Sequence, residues 1–469
     1  MLYDRPLDAR SGEVLHPSGE GDRAKMKRCL NIIICFLFLP LWGGQVGFLR
    51  AEIGFRGAWI ATVANIDWPS PEAVGNTEKQ QEEMVWILDS LESLGINAII
   101  FQVRPTADAL YRSEYEPVSQ WLTGKQGEWN TSPQPSPKER ELLPLGETGE
   151  RWDPLAWTIE EAHKRNMEVH VWLNPYRVNL AKTDTSMLCA DHIWRRHREW
   201  FWEYNKQWYF DPGLDVTRDW ICTIVQDIVQ RYDIRAIHMD DYFYPYPAGK
   251  QPLPDSSTFA KYPRGFTDIH EWRRNNVNMV IQDISRTIRE CKDSVEFGIS
   301  PFGVWRNMSV DSTGSATQAG ITNYDDLYAD TRLWIKEGWI DYILPQLYWE
   351  IGKKVADYEV LAHWWANEVR GTKCKLYIGM APYRLVESQK SKVERGKANP
   401  WATGNEIKRQ MDLNRTIPEI TGECFYSTRP LLRNPRGVCD SIKAVYHLPP
   451  TISQEEGEKS VEEFSMPWE

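Results

Sequence analysis

An α/β fold, a single (β/α)8 TIM barrel, is what this sequence predicts, on three observations. Eight short apolar runs recur along the chain, each followed by a segment of helical period. Most of these runs are continuously apolar rather than alternating, as parallel strands buried on both faces are. Each run closes on polar, charged or aromatic residues, and strand ends are where such barrels carry their chemistry.

The strands are expected at 57–63, 96–103, 168–173, 234–239, 295–300, 342–347, 376–380 and 423–427. The helix at 77–94 repeats Met84, Val85, Leu88, Leu91 and Leu94 and stops at Gly95. The next, 155–165, follows Asp153-Pro154, a capping residue and a proline suited to the first helical position. Over 216–232, Trp220, Ile221, Ile224, Val225, Ile228 and Val229 form one apolar stripe. Further helices are expected at 272–291, 324–337, 358–369 and 406–413.

The barrel is expected to occupy residues 54–446. Residues 26–51 read as an export signal: Met26-Lys27-Arg28 is basic, 32–42 is apolar, and small residues follow at Gly43, Gly44 and Gly47. That run is too short to span a bilayer, so no stable membrane span is expected once the signal is removed. Residues 1–25 read as a non-native extension upstream of a start at Met26. Residues 134–150, rich in proline and charge, read as a disordered insert, and 447–469 as an irregular acidic tail.

A formal charge of -11 argues against a nucleic-acid partner, which calls for a basic face. Outside the signal, Cys189, Cys222, Cys291, Cys374, Cys424 and Cys439 are scattered without metal spacing, and neither a metal nor a cofactor is expected. The 23 Trp and 20 Tyr are the compositional oddity. Rings in a core explain some of them; rings in loops suit the apolar faces of sugars.

The eight strand ends together hold carboxylates, amides, guanidinium groups and rings: Asn65 and Asp67; Arg104 and Asp108; Asn174, Tyr176 and Arg177; Asp240, Asp241 and Tyr242; Trp305, Arg306 and Asn307; Gln346, Tyr348 and Trp349; Tyr383; and Tyr426. Paired carboxylates cleave glycosidic bonds, and amides and rings hold sugars. A polysaccharide is the partner this predicts. The pair Asp240-Asp241 is the sharpest feature. Successive side chains alternate, so one faces the mouth and the other is free to meet a neighbouring strand or loop. Two other readings stay open. One is a carbohydrate-binding barrel without turnover. The other is a metal-dependent polysaccharide hydrolase or deacetylase using His238, Asp240 and Asp241.

The ordered motifs 56–59 (RGAW), 101–105 (FQVRP), 169–177 (VHVWLNPYR), 237–243 (IHMDDYF), 272–276 (WRRNN), 297–307 (FGISPFGVWRN), 328–330 (YAD) and 345–349 (PQLYW) resemble the glycosyl hydrolase-like 10 family. The resemblance covers roughly residues 54–446. It implies a bacterial envelope or secreted barrel enzyme that cleaves peptidoglycan glycan strands, especially strands stripped of their peptides.

Asp240 is the expected strand-four catalytic carboxylate and nucleophile, since it closes a rigid strand. Asp241 is expected to be a supporting group or the acid, and Asp325 is the other acid candidate, although Asp325 equally suits a helix cap. Arg104, Asn174, Tyr176, Arg177, Tyr242, Trp305, Arg306, Gln346, Tyr348 and Trp349 are the expected substrate contacts.

Overall fold

The computed structural model describes residues 54–129, 152–180, 185–390 and 399–447. The segments expected to be an upstream extension (1–25), an export signal (26–51) and an insert (134–150), and all but the first residue of the expected tail, lie outside the described residues.

Eight parallel strands close into a barrel. They are β1 (Phe55–Ile60), β2 (Ala98–Arg104), β3 (Glu168–Leu173), β4 (Ala236–Met239), β5 (Glu296–Ile299), β6 (Tyr342–Ile343), β7 (Lys375–Met380) and β8 (Ile420–Phe425). The circle closes where Phe55 of β1 pairs with Gly422 of β8 and Gly57 pairs with Ala98 of β2. One principal helix follows each strand: α1 (Thr77–Ser93), α2 (Pro154–His163), α3 (Asp215–Arg231), α4 (Ile269–Cys291), α5 (Thr331–Lys336), α6 (Tyr358–Val369), α7 (Asn405–Asn414) and α8 (Val438–Val445). The cap expected for α2 is present: the Asp153 carboxylate accepts from the Leu155 and Ala156 amides.

Strand parity divides the apolar residues into two cores. Outward side chains such as Ile99, Phe101, Val169, Val171, Ile237 and Ile299 pack with helix stripes such as Leu88, Ile224 and Ile281. Inward ones, including Phe55, Trp59, Ile100, Trp172, Tyr342 and Tyr377, fill the barrel itself. A polar column runs through that interior. The Tyr342 hydroxyl lies 2.9 Å from Nδ1 of both His170 and His238, and His238 Nε2 lies 2.9 Å from Ser300 Oγ. Burial lowers the pKa of both histidines, which favours the neutral form.

Gly298 is what admits the Tyr342 ring: a Cβ there would sit 1.8 Å from the ring's Cζ. Gly298→Ala is therefore expected to cost about 3 kcal/mol by overpacking, read as a lowered denaturant midpoint. An unchanged midpoint would mean that the ring has another place to go.

Three expectations are corrected. The sixth strand was expected over 342–347, but regular pairing stops at Ile343, because Pro345 has no N–H to continue the ladder. The helix expected over 324–337 forms only at Thr331–Lys336, where the Asp330 side chain caps the Leu333 amide. An antiparallel hairpin, Phe201–Tyr204 with Gln207–Phe210, was not expected. Its turn residues Asn205 and Lys206 both have positive φ, as a tight two-residue hairpin turn requires. The six cysteines outside the signal are all free thiols.

Candidate active site

The barrel mouth is built around the two strand-four carboxylates. Asp240 shares inward parity with Ala236 and His238, and it turns toward β3. Trp172 Nε1 donates to its carboxylate at 3.1 Å, the Asn174 amide at 3.2 Å and the Tyr242 backbone N–H at 3.3 Å. Asp241 turns the other way: the Tyr246 hydroxyl donates to it, and the Gln346 side chain, beyond β6, also favours its charged form. Gln346 is in turn held by donating to the Ser300 carbonyl at 2.9 Å.

Burial raises the pKa of both acids, and their partners differ. Burial raises the Asp240 pKa, but Arg177 and the three donors oppose it. Asp241 is pushed up to about 7, first by burial and then by the neighbouring Asp240 charge. An acid that keeps its proton toward neutral pH beside a second carboxylate is an arrangement suited to glycosidic cleavage.

Half-exposed rings surround the pair. Tyr242 lies beneath the Arg177 guanidinium at 5.3 Å and meets Tyr246 edge-on. Tyr246 meets Phe302, and Phe302 meets Trp349 at 5.4 Å. On the other side Tyr348 stacks on Tyr426 at 5.9 Å and abuts Tyr383. So the structure brings together Asp240, Asp241, Asn174, Arg177, Tyr242, Gln346, Tyr348 and Trp349. Asn174 is wholly buried and orients Asp240, which places it behind the ligand surface.

Five expected site residues lie elsewhere. Arg104 is 0% exposed and fully engaged: Nε and Nη2 reach Glu116 at 2.7 and 2.6 Å, and Nη1 reaches the Asn174 and Pro175 carbonyls. Its role is to anchor the loop after β3. Glu116→Gln should cost about 3 to 5 kcal/mol in chemical denaturation, because it leaves a buried guanidinium without its counter-charge. A loss below about 1 kcal/mol would show that the pair contributes little. Tyr176 is covered by the hairpin, whose Phe210 N–H donates to the Tyr176 carbonyl while the Val178 N–H donates to Trp208.

Trp305, Arg306 and Asp325 belong together, but away from the carboxylate pair. The loop after β5 folds back against α5 and α6. Trp305 stacks on Trp364 of α6, with the Arg332 guanidinium of α5 over its ring at 4.5 Å. Asp325 accepts from Arg306 Nε and Nη2 at 2.8 and 2.7 Å, so a bidentate ion pair occupies the carboxylate expected to be an acid.

Trp172, Tyr246, Phe302, Tyr383 and Tyr426 were not expected contacts. Trp172 was legible as the inward neighbour of Asn174, and Tyr383 and Tyr426 stand directly at strand ends. Phe302 also stands at a strand end, three residues past β5, whereas nothing in the sequence pointed to Tyr246. Asp67 is a further buried acid, pushed up to about 6, but the Ala61 N–H, the Ser427 hydroxyl and the Arg429 N–H all donate to it at 2.8 Å. It latches the loop after β1 to the loop after β8.

Among the described residues no group of three His, Cys, Asp or Glu is placed to hold a metal. His238 spends both ring nitrogens on Tyr342 and Ser300. The donor set expected for a metal centre is thus dispersed.

The profile of the glycosyl hydrolase-like 10 family matches residues 54–134 and 135–395. "Glycosyl hydrolase YngK" of Bacillus subtilis (strain 168) is 42% identical over 451 residues, 94% of this chain and 81% of the relative. "Glycosyl hydrolase DigH" of Escherichia coli (strain K12) is 39% identical over 388 residues, 79% of this chain and 82% of the relative. The solved PgaB (BpsB) glycoside hydrolase domain of Bordetella bronchiseptica aligns with a TM-score of 0.47 at 9% identity, over 85% of this chain and 98% of that one.

Proposed function

The chain belongs to the glycosyl hydrolase-like 10 family, and we propose that it is an exported glycoside hydrolase acting on an amino-sugar polysaccharide, the glycan strands of peptidoglycan. The observation that carries this reading is the carboxylate pair at the mouth. Asp240 is held by three hydrogen-bond donors beside a guanidinium. Asp241 keeps its proton up to about 7. A barrel that only bound sugars would have no use for two adjacent buried acids, one of them holding its proton toward neutral pH, whose burial costs stability.

In this reading Asp240 attacks or stabilises the anomeric carbon from one side, and Asp241 protonates the leaving glycosidic oxygen. Tyr242, Tyr348 and Trp349 supply apolar faces against sugar rings. Gln346 steadies Asp241. Asn174 and Trp172 fix the Asp240 carboxylate, so little reorganisation remains for the reaction.

Export is supported by the basic-then-apolar segment at 26–51. No helix among the described residues is long and apolar enough to cross a membrane. Action on a glycosidic bond is supported by the kinship with two relatives named glycosyl hydrolases; the peptidoglycan strand is what the family resemblance implies.

The direct test incubates the purified protein with peptide-free peptidoglycan glycan strands and reads the products by mass spectrometry. Shortened oligosaccharides with new reducing ends are expected. Strands left intact, while chitin or another neutral polymer is cut, would move the substrate elsewhere; no cleavage of any glycan would favour the binding barrel.

A further inference from the structure

Arg177, beside Tyr242 at the mouth, is a guanidinium with an open fork. It is only 8% exposed. Its Nε donates to the Pro105 carbonyl at 3.2 Å, and its flat face covers Tyr242. Its two terminal nitrogens have no hydrogen-bond acceptor among the described residues, and no carboxylate forms an ion pair with it there. Arg104, one loop away, shows the contrast: Glu116 and two carbonyls saturate it. Neither terminal nitrogen of Arg177 is sealed from solvent, so the fold fixes the guanidinium through Nε and its ring contact and leaves the fork open to an arriving acceptor.

Asp240 is not that partner. The Arg177 charge favours ionised Asp240 without a hydrogen bond or ion pair between them, and the Asp240 oxygens accept from Trp172, Asn174 and the Tyr242 N–H. The open fork therefore points to an acceptor on the ligand. A planar guanidinium matches a carboxylate bidentately. A phosphate dianion beside Asp240 and Asp241 would meet twice the repulsion that a single carboxylate meets.

We propose that Arg177 is a carboxylate receptor, so that the site selects glycan in which the sugar seated beside Asp240 carries a free carboxylate. The proposal rests on the hydrolase reading for its catalytic consequence, but the receptor itself is a binding property. Its chemistry is shared by two kinds of acidic sugar: an amino sugar bearing a lactyl ether, and a uronic acid. A strand whose carboxylate is tied up in an amide loses both the charge and one acceptor.

The experiment has two arms. In the first, native protein and Arg177→Gln are assayed on peptide-free strands with free carboxylates and on the same strands after conversion to methylamides. The native protein is expected to prefer the free acid at least tenfold in kcat/KM, and Arg177→Gln to lose that preference. Arg177→Lys, which keeps the charge without the fork, should recover part of it. An equal loss on both substrates would reduce Arg177 to a counter-charge for Asp240 and overturn the proposal, as would a native enzyme indifferent to the amide.

The second arm measures binding by calorimetry to N-acetylmuramic acid, its methyl ester and glucuronic acid. Tighter binding of an acid than of the ester, lost in Arg177→Gln, supports the receptor even if no strand is cleaved. The preferred acid identifies the source. Equal binding of acid and ester by the native protein overturns the receptor whatever the fate of the hydrolase reading.

Discussion

Asp240→Asn is expected to abolish glycan cleavage while leaving the unfolding midpoint close to that of the native protein. The amide keeps the shape of the carboxylate and removes the charge that the proposed reaction sets against the anomeric centre. A fall of at least about three orders of magnitude in kcat, about 4 kcal/mol of transition-state stabilisation, is the expected size. Two stability effects oppose each other. Burial raises the Asp240 pKa, and an acid with a raised folded pKa stabilises the fold at low pH and loses that contribution as pH rises above its unfolded value. At neutral pH the amide removes this cost. Against that, one carboxylate oxygen becomes an N–H donor facing the donors Trp172 Nε1 and Asn174 Nδ2, which leaves one of them unpaired. The net change should stay within about 1 kcal/mol. The check is paired: product release from strands, and chemical denaturation at pH 7. A folded variant that still cleaves would transfer the nucleophile's role to Asp241.

The strand ends that hold these acids were legible because a parallel strand buried on both faces leaves a continuous apolar run, and the end of the run marks the mouth. Parity said only that the two acids point different ways; in the structure Asp240 turns toward β3 and Asp241 toward Tyr246 and Gln346. What misled was distance beyond the strand. Trp305 and Arg306 lie within seven residues of β5, but the loop that carries them turns onto α5 and α6, and nothing in the local pattern records the turn. Tyr176 lies three residues beyond β3, and a hairpin formed some thirty residues later in the chain covers it. Arg104 offered a better clue, since Glu116 follows in the same loop and a buried cation needs such a partner. The loop rings Tyr246 and Phe302 carried no periodic signature, and only the closed barrel gathers them beside Asp241.

Asp241 governs the second large effect, through its proton. Burial and the Asp240 charge push its pKa up to about 7, so it is protonated below that pH and ionised above it. If it donates to the leaving oxygen, kcat/KM on strands falls as pH rises through about 7. Asp241→Asn cannot donate; it should slow strand cleavage by on the order of 100-fold to 10,000-fold and erase that alkaline limb. A 4-nitrophenyl glycoside, whose leaving group needs no proton, should escape most of the penalty. The same shift bears on stability. An acid raised from 3.8 to about 7 stabilises the fold at low pH, and that contribution is lost progressively between about pH 4 and pH 7. Asp241→Asn should therefore flatten the pH dependence of the unfolding midpoint in that window. Because Asp240 supplies part of the shift, Asp240→Asn should lower the Asp241 pKa, a displacement that carboxyl carbon NMR reads directly. An alkaline limb that persists unchanged in a folded Asp241→Asn protein would take the acid's role from Asp241. The saturated ion pair of Asp325 with Arg306 and the three-donor latch on Asp67 leave neither of those carboxylates free to inherit it.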